Sequence, residues 1–186
     1  MSQTLVTAPT AKPVTLSEVK KHLRVTASDD DKLINSLITA ATELAEIYTW
    51  RRFITQTWDY FLNDFDYVNT LPYGKLQSVT SVKYYDSSNA QQTIANTVYD
   101  VVTDSDPGRV NLAYSQTWPY VYDRENAVEI RFVCGYGAAS AVPEPIKSAI
   151  KIKIELLYGN LFPNERDQLE MTYESLLTPY RIMTFC

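Results

Sequence analysis

Histidine is almost absent from this chain. His22 is its sole copy, and that scarcity removes most chemistry built on imidazole. A Ser-His-acid triad has one residue to turn to, and no nucleophile is marked by its surroundings. With one His, two Cys and no acidic loop of EF-hand form, the sequence offers no metal site. Glycine is sparse too, at five residues, and Gly135-Tyr136-Gly137 lacks the Lys and Ser or Thr that complete a phosphate loop. It reads as a strand-end turn. Cys134 falls in a strand-like segment and Cys186 is the last residue, so two ordinary thiols are expected and no disulfide framework. No apolar run has the length of a bilayer crossing. Met1 to Pro13 does not read as a signal peptide, so a soluble protein, cytoplasmic while it is made, is expected. Asp104 and Asp106 fall in a turn beside Pro107 as ordinary turn residues. No enzyme, cofactor or metal is expected. Basic residues are outnumbered, and a formal net charge of -5 argues against broad grip on phosphates, though not against DNA that passes by.

What is present is aromatic and helical. The chain has 186 residues, among them 14 Tyr and three Trp. Such residues suit a protein interface or a sheet packing its own core, and composition leaves both open. The segment Ser28 to Arg52 reads as one amphipathic helix, with Leu33, Leu37, Ala41, Leu44 and Tyr48 on a face. Ser28 is its expected cap and Asp31 the capping partner, with Asp29 to Asp31 at the positive end of the dipole and Arg51 and Arg52 at the other. Before it, Thr15 and Glu18 form a capping-box signature, Val14 and Val19 a staple, and Leu16, Val19 and Leu23 an apolar face. His22 lies on the polar side with Lys20 and Lys21. Helix, turn and helix is also the layout of a DNA-reading unit. The first turn of its reading helix is Asp29 to Asp31, which would meet phosphates with like charge.

After Phe53 the period changes to two. Strands are expected from Ile54 to Leu62, where Ile54, Trp58, Tyr60 and Leu62 alternate with polar neighbours, and over a less regular, bulge-prone Leu76 to Tyr85. Others are expected at Thr97 to Val102, Arg109 to Tyr114 and Ala127 to Cys134. In the last, Val128, Ile130, Phe132 and Cys134 share one face and Glu129 and Arg131 the other. The loop Gln116 to Asn126 carries Trp118, Tyr120 and Tyr122, either a contact surface or a lid over the sheet. Pro145 opens a helix with Ile146, Ile150, Ile154, Leu157 and Leu161. Asn164 can cap a last helix with Leu169, Tyr173, Leu176 and Leu177, which Pro179 stops.

The fold class is therefore α+β: a helical bundle of two N-terminal and two C-terminal helices with an inserted antiparallel β-sheet or small barrel. The expected parts are a flexible arm over 1–12, the bundle over 13–52 and 143–179, the β-rich insertion over 53–142 and an apolar tail over 180–186.

Pro13 to Val25, the Asp29 to Asp31 run and the helix reaching Trp50-Arg51-Arg52 resemble the opening of head-tail connector (adaptor, or head-completion) proteins of tailed bacteriophages. Leu71-Pro72 and Leu76 to Asp86 are similar to the middle of that family's longer branch, often labelled as a phage protein involved in DNA packaging. Trp118-Pro119, Val128 to Tyr136, Val142 to Ala149, Leu156 to Tyr158, Leu176-Leu177 and Pro179 to Arg181 are similar to its later blocks. Tyr73-Gly74-Lys75 departs from the basic or Pro-rich loop expected there. The resemblance implies a structural virion protein at the head-tail interface, forming a ring of twelve copies under the portal and extending the channel through which double-stranded DNA leaves, without sequence-specific binding. Its implied partners are the portal, neighbouring copies, and a tail or head-completion protein, with no membrane. It further implies a portal-docking tail, here Tyr180, Arg181, Ile182, Met183 and Phe185. Trp118, Tyr120, Tyr122, Leu71, Tyr73 and Lys75 are the candidates for contact with the next subunit or the tail side. The rival readings are a β-rich receptor- or ligand-binding module using Trp118, Tyr120 and Tyr122, and a small helix-turn-helix DNA-binding protein using Lys20, Lys21 and Arg24.

Overall fold

The computed structural model describes residues 1–65, 70–159 and 162–182. The fold is α+β, and the chain divides into two compact units: Met1–Pro9 with Thr55–Gly135, and Thr10–Ile54 with Tyr136–Cys186.

The first unit is built on a five-stranded antiparallel sheet. Its strands are β1 (Ser2–Thr7), β2 (Gln56–Leu62), β3 (Leu76–Tyr85), β4 (Gln91–Thr93) and, after β5 (Tyr99–Val102) and β6 (Arg109–Leu112), β7 (Val128–Cys134). Their order across the sheet is β1-β2-β7-β3-β4, while β5 and β6 pair with each other. The centre is β7, whose alternate side chains Val128, Ile130, Phe132 and Cys134 are all buried, as a period of two dictates. Tyr60, Leu62 and Val82 from its neighbours join them in one core. The opposite face holds charge in register. Arg131 lies across from Asp59 and donates to both its carboxylate oxygens, at 2.7 and 2.8 Å. Lys83 lies across from Glu129 at 3.3 Å. Such directly opposed pairs stabilise a sheet as i,i+4 pairs stabilise a helix. In β3 the register slips between Leu76 and Ser78 and between Val79 and Ser81, which accounts for its irregular alternation.

The N-terminal arm expected over 1–12 is in part a strand. Ser2–Thr7 pairs along β2 although every one of its side chains is exposed. An edge strand held by its backbone ladder leaves no hydrophobic pattern to read, and the short, fully exposed β4 escaped for the same reason.

The second unit contains α1 (Leu16–Leu23), α2 (Asp31–Thr49), α3 (Glu144–Tyr158) and α4 (Pro163–Leu177). The capping box of α1 forms as its sequence suggests: Thr15 Oγ1 accepts from the Glu18 N–H at 3.2 Å and Glu18 accepts from the Thr15 N–H at 2.7 Å. Val14 and Val19 are both buried in the core of this unit, with Ile34, Ile38, Ile146, Ile150 and Ile154.

Four expectations about the helices need correction. The buried stripe of α2 is Ile34, Ile38, Ala41, Ala45 and Thr49, while Leu33 and Leu44 are 49% and 41% exposed. Ser28 does not cap α2 with its side chain; its carbonyl accepts from the Asp31 N–H, Asp31 pairs with Lys20 at 2.6 Å, and Asp30 accepts from the Tyr158 hydroxyl at 2.6 Å. In α3 the buried residue is Leu156 and Leu157 faces outward; Leu161 lies outside the described residues. Pro163, not Asn164, opens α4, where Glu165 reaches back to the Phe162 N–H at 3.2 Å.

The chain leaves this unit after Ile54 and re-enters at Tyr136. The Tyr136 N–H donates to the Phe53 carbonyl at 3.0 Å, and Ile54 and Gly137 form a parallel bridge, so exit and entry are tied together.

Candidate interaction surfaces

In the second unit the end of α2 organises the C-terminal residues. Trp50 adopts a left-handed conformation and its N–H closes the helix on the Glu46 and Ile47 carbonyls. The chain turns so that Glu46, in the last turn, accepts from the Phe53 N–H at 2.8 Å and from Arg52 at 3.3 Å. Burial pushes the Glu46 carboxyl above the ordinary range, against these favourable donors. Arg51 is buried and its Nε donates to the Tyr180 carbonyl. From their place in the sequence, Arg51 and Arg52 are expected as dipole partners of the helix. They lie past its cap and act as a clasp for backbone and carboxylate, a role for which Glu46 beside a pair of Arg is the only local signal.

That clasp decides where the apolar tail goes. Tyr180 is half-buried, Arg181 is exposed with its guanidinium 5.5 Å from the Tyr48 ring centre, and Ile182 is 8% exposed. The Ile182 N–H donates to the Thr49 carbonyl at 3.0 Å. Tyr180 and Ile182 are thus engaged by their own unit. Met183 and Phe185 lie outside the described residues.

Of the contact candidates in the first unit, Leu71 and Tyr73 are buried in the core and Trp118 packs half-buried against it. Leu71 is 1% exposed, and Tyr73 packs its ring 4.9 Å from Trp58 with its hydroxyl 3.3 Å from Gln3. Trp118 stacks on Phe65, centroids 4.6 Å apart and planes within 7°. Lys75 is exposed and 3.9 Å from Asp106. Tyr120 and Tyr122 are exposed at 74% and 41%. Tyr114, 96% exposed, escaped sequence reading because it lies at the end of an expected strand. The loop is therefore split in role, Trp118 acting as lid and Tyr120 and Tyr122 as surface.

Each rival reading has one of its residues engaged internally, while Tyr120 and Tyr122, and Lys21 and Arg24, are exposed. A ligand module built on Trp118 would need a ring that is already stacked. A DNA reader built on α1 would need Lys20, whose ammonium is neutralised by Asp31 at 2.6 Å. His22 is 2.9 Å from Glu155 of α3. Among the described residues no three His, Cys, Asp or Glu are grouped to hold a metal ion, and no helix is long and apolar enough to cross a membrane.

The family of phage gp6-like head-tail connector proteins matches residues 13–111. The chain belongs to that family. No curated protein sequence matches it. Solved structures similar to this connector include a chain from the neck of an empty GTA particle computed with C6 symmetry, at TM-score 0.80 and 20% identity. A second is a chain from the virion of a native gene transfer agent (GTA) particle, at TM-score 0.78 and 22% identity. A third, from the neck of a native GTA particle computed with C12 symmetry, has TM-score 0.76 and 21% identity. Each similarity covers 100% of this chain and 98% of the other. At such identities the shared property is the fold.

Proposed function

We propose that this connector is a structural, non-catalytic subunit of the neck. In this reading twelve copies form a ring beneath the portal, join the DNA-filled head to the tail, and extend the channel through which double-stranded DNA leaves. Membership of the head-tail connector family carries the reading. It is supported by a fold shared along the whole chain with proteins of particle necks, one computed with C12 symmetry. The acidic balance of the chain suits a conduit that DNA passes without being held.

The tail beginning at Tyr180 is proposed to reach the portal. Because Tyr180 and Ile182 are held within their own unit, the docking part is assigned to Arg181, Met183 and Phe185. Tyr120, Tyr122 and Lys75 remain candidates for the tail side or the next subunit.

The test is native mass spectrometry of the purified protein, alone and mixed with the portal of the same virus. A ring, or one copy bound per portal subunit, is the expected result. A monomer indifferent to portal would overturn the reading.

A further inference from the structure

Helix α4 is exposed over most of its length, with only Tyr173 and Leu177 fully buried. Its outer face carries Asp167, Met171 and Glu174 at i, i+4 and i+7, a spacing that sets them in one line about 10 Å long. All three are exposed, Met171 at 72%. On α1, the half-buried Leu16 and Val25 form the apolar floor of an open groove whose rim bears the exposed Lys21 and Arg24. Lys20 also lines it but is paired with Asp31 at 2.6 Å. Among the described residues, Lys21, Arg24, Asp167 and Glu174 make no ion pair.

Stripe and groove lie on different sides of their unit. In α3, Glu155 is 2.9 Å from His22 of α1, while Lys153 is 2.7 Å from Glu170 of α4. Positions two apart on a helix point about 200° apart, so α1 and α4 occupy opposite flanks of α3. One copy cannot seat its own stripe in its own groove.

From this complementarity we infer that the α1 groove of one copy receives the α4 stripe of the next, with Met171 against Leu16 and Val25, and Asp167 and Glu174 on Lys21 and Arg24. The inference rests on the ring reading and adds the residues that make the contact. Charge and shape select the occupant. The groove offers two unpaired cations beside an apolar floor, and the stripe offers two unpaired carboxylates with an apolar side chain between them. Matching charges of this kind fix register and turn away wrong partners, while the flexible thioether of Met171 adapts to a shallow apolar floor. A phosphate backbone would satisfy the cations and leave the floor uncovered, which disfavours DNA as the occupant. A cyclic ring requires each subunit to meet its neighbour through two different, complementary patches, and this chain carries both halves of such a pair, facing apart.

The experiment compares wild type with two charge reversals, Lys21→Glu with Arg24→Glu and Asp167→Lys with Glu174→Lys. Folding is followed by circular dichroism, and assembly by light scattering and native mass spectrometry, with and without the portal of the same virus. Each reversal sets like charges across the contact and should weaken self-association about 100-fold. Mixing the two reversed proteins should restore rings in which they alternate, and so should a single chain carrying all four substitutions. Where a reversal does not fold, the neutral pair Lys21→Gln, Arg24→Gln takes its place and should weaken assembly in the same direction. Folded reversals that form rings like wild type overturn the inference and leave the ring reading standing. Rings lost to both reversals and not recovered by the mixture or the fourfold variant overturn it too, because groove and stripe would then meet different partners. So does a Lys21→Glu, Arg24→Glu protein that keeps its ring and loses affinity for a DNA duplex, which would assign the groove to phosphates. Wild type that never self-associates, alone or with portal, removes the ring reading and this inference with it.

Discussion

Glu46 shows how a single side chain can hold a turn at some cost. Its folded carboxyl keeps a proton to higher pH than the unfolded one, because burial disfavours the charge. Stability tied to that proton is complete below the ordinary glutamate range and is lost as pH rises through the raised folded value. Glu46→Gln cannot ionise, so its Tm relative to wild type should become more favourable as pH rises from the ordinary glutamate range through the raised folded value. A difference that is flat with pH would sink the argument. Glu18 behaves oppositely, since the Thr15 hydroxyl and N–H hold its carboxyl below the usual range. Its contribution is present above the ordinary glutamate pKa and fades as pH falls through the lowered one. Thr15→Ala should cost about 1 kcal/mol in thermal or urea unfolding and weaken that acid dependence. The Thr15 and Glu18 pairing was legible because both partners lie within four residues of each other. Glu46 with Phe53, or Asp30 with Tyr158, was not, since those pairs exist only once the helices have packed.

At the scale of elements, legibility followed the hydrophobic pattern and its uniqueness. Strand β7 alternates cleanly between buried and charged, and the sequence admits only one facing. In α2 the type of element was plain but the facing was not, because two apolar stripes lie side by side and either could have been the inner one. The packing separates them sharply. Ile38→Ala, which empties a fully buried site, should cost about 2–5 kcal/mol. Leu33→Ala, half-exposed on the other stripe, should change stability by less than about 0.5–1 kcal/mol. Comparable losses at the two positions would contradict the assignment. The same ambiguity explains Leu156 and Leu157, neighbours in sequence and opposite in burial. The loops were hardest to read. Leu71, Tyr73 and Trp118 are aromatic or apolar residues between strands, and nothing local separates a lid from a docking surface.

For the molecule as a whole, the C-terminal segment serves two ends, and truncations should divide them. Deleting residues 180–186 removes the carbonyl held by Arg51 and the Ile182 anchor on Thr49. It should lower Tm, by about 2–4 °C for each kcal/mol lost in a protein of this size. Deleting residues 183–186 spares those bonds and should leave Tm near wild type while weakening portal capture in a pull-down with the purified portal. Equal portal capture by wild type and the shorter deletion would reassign the tail to internal stability alone. The two-unit division also sets an order in time. During synthesis the first unit has its whole sequence once Gly135 has emerged, whereas α2, already made, must wait for α3 and α4 before its inner stripe is covered. For the length of one domain's translation the nascent chain therefore carries a helix with both apolar stripes open, which makes that interval the moment when chaperones, or a neighbouring nascent copy, have most to act upon.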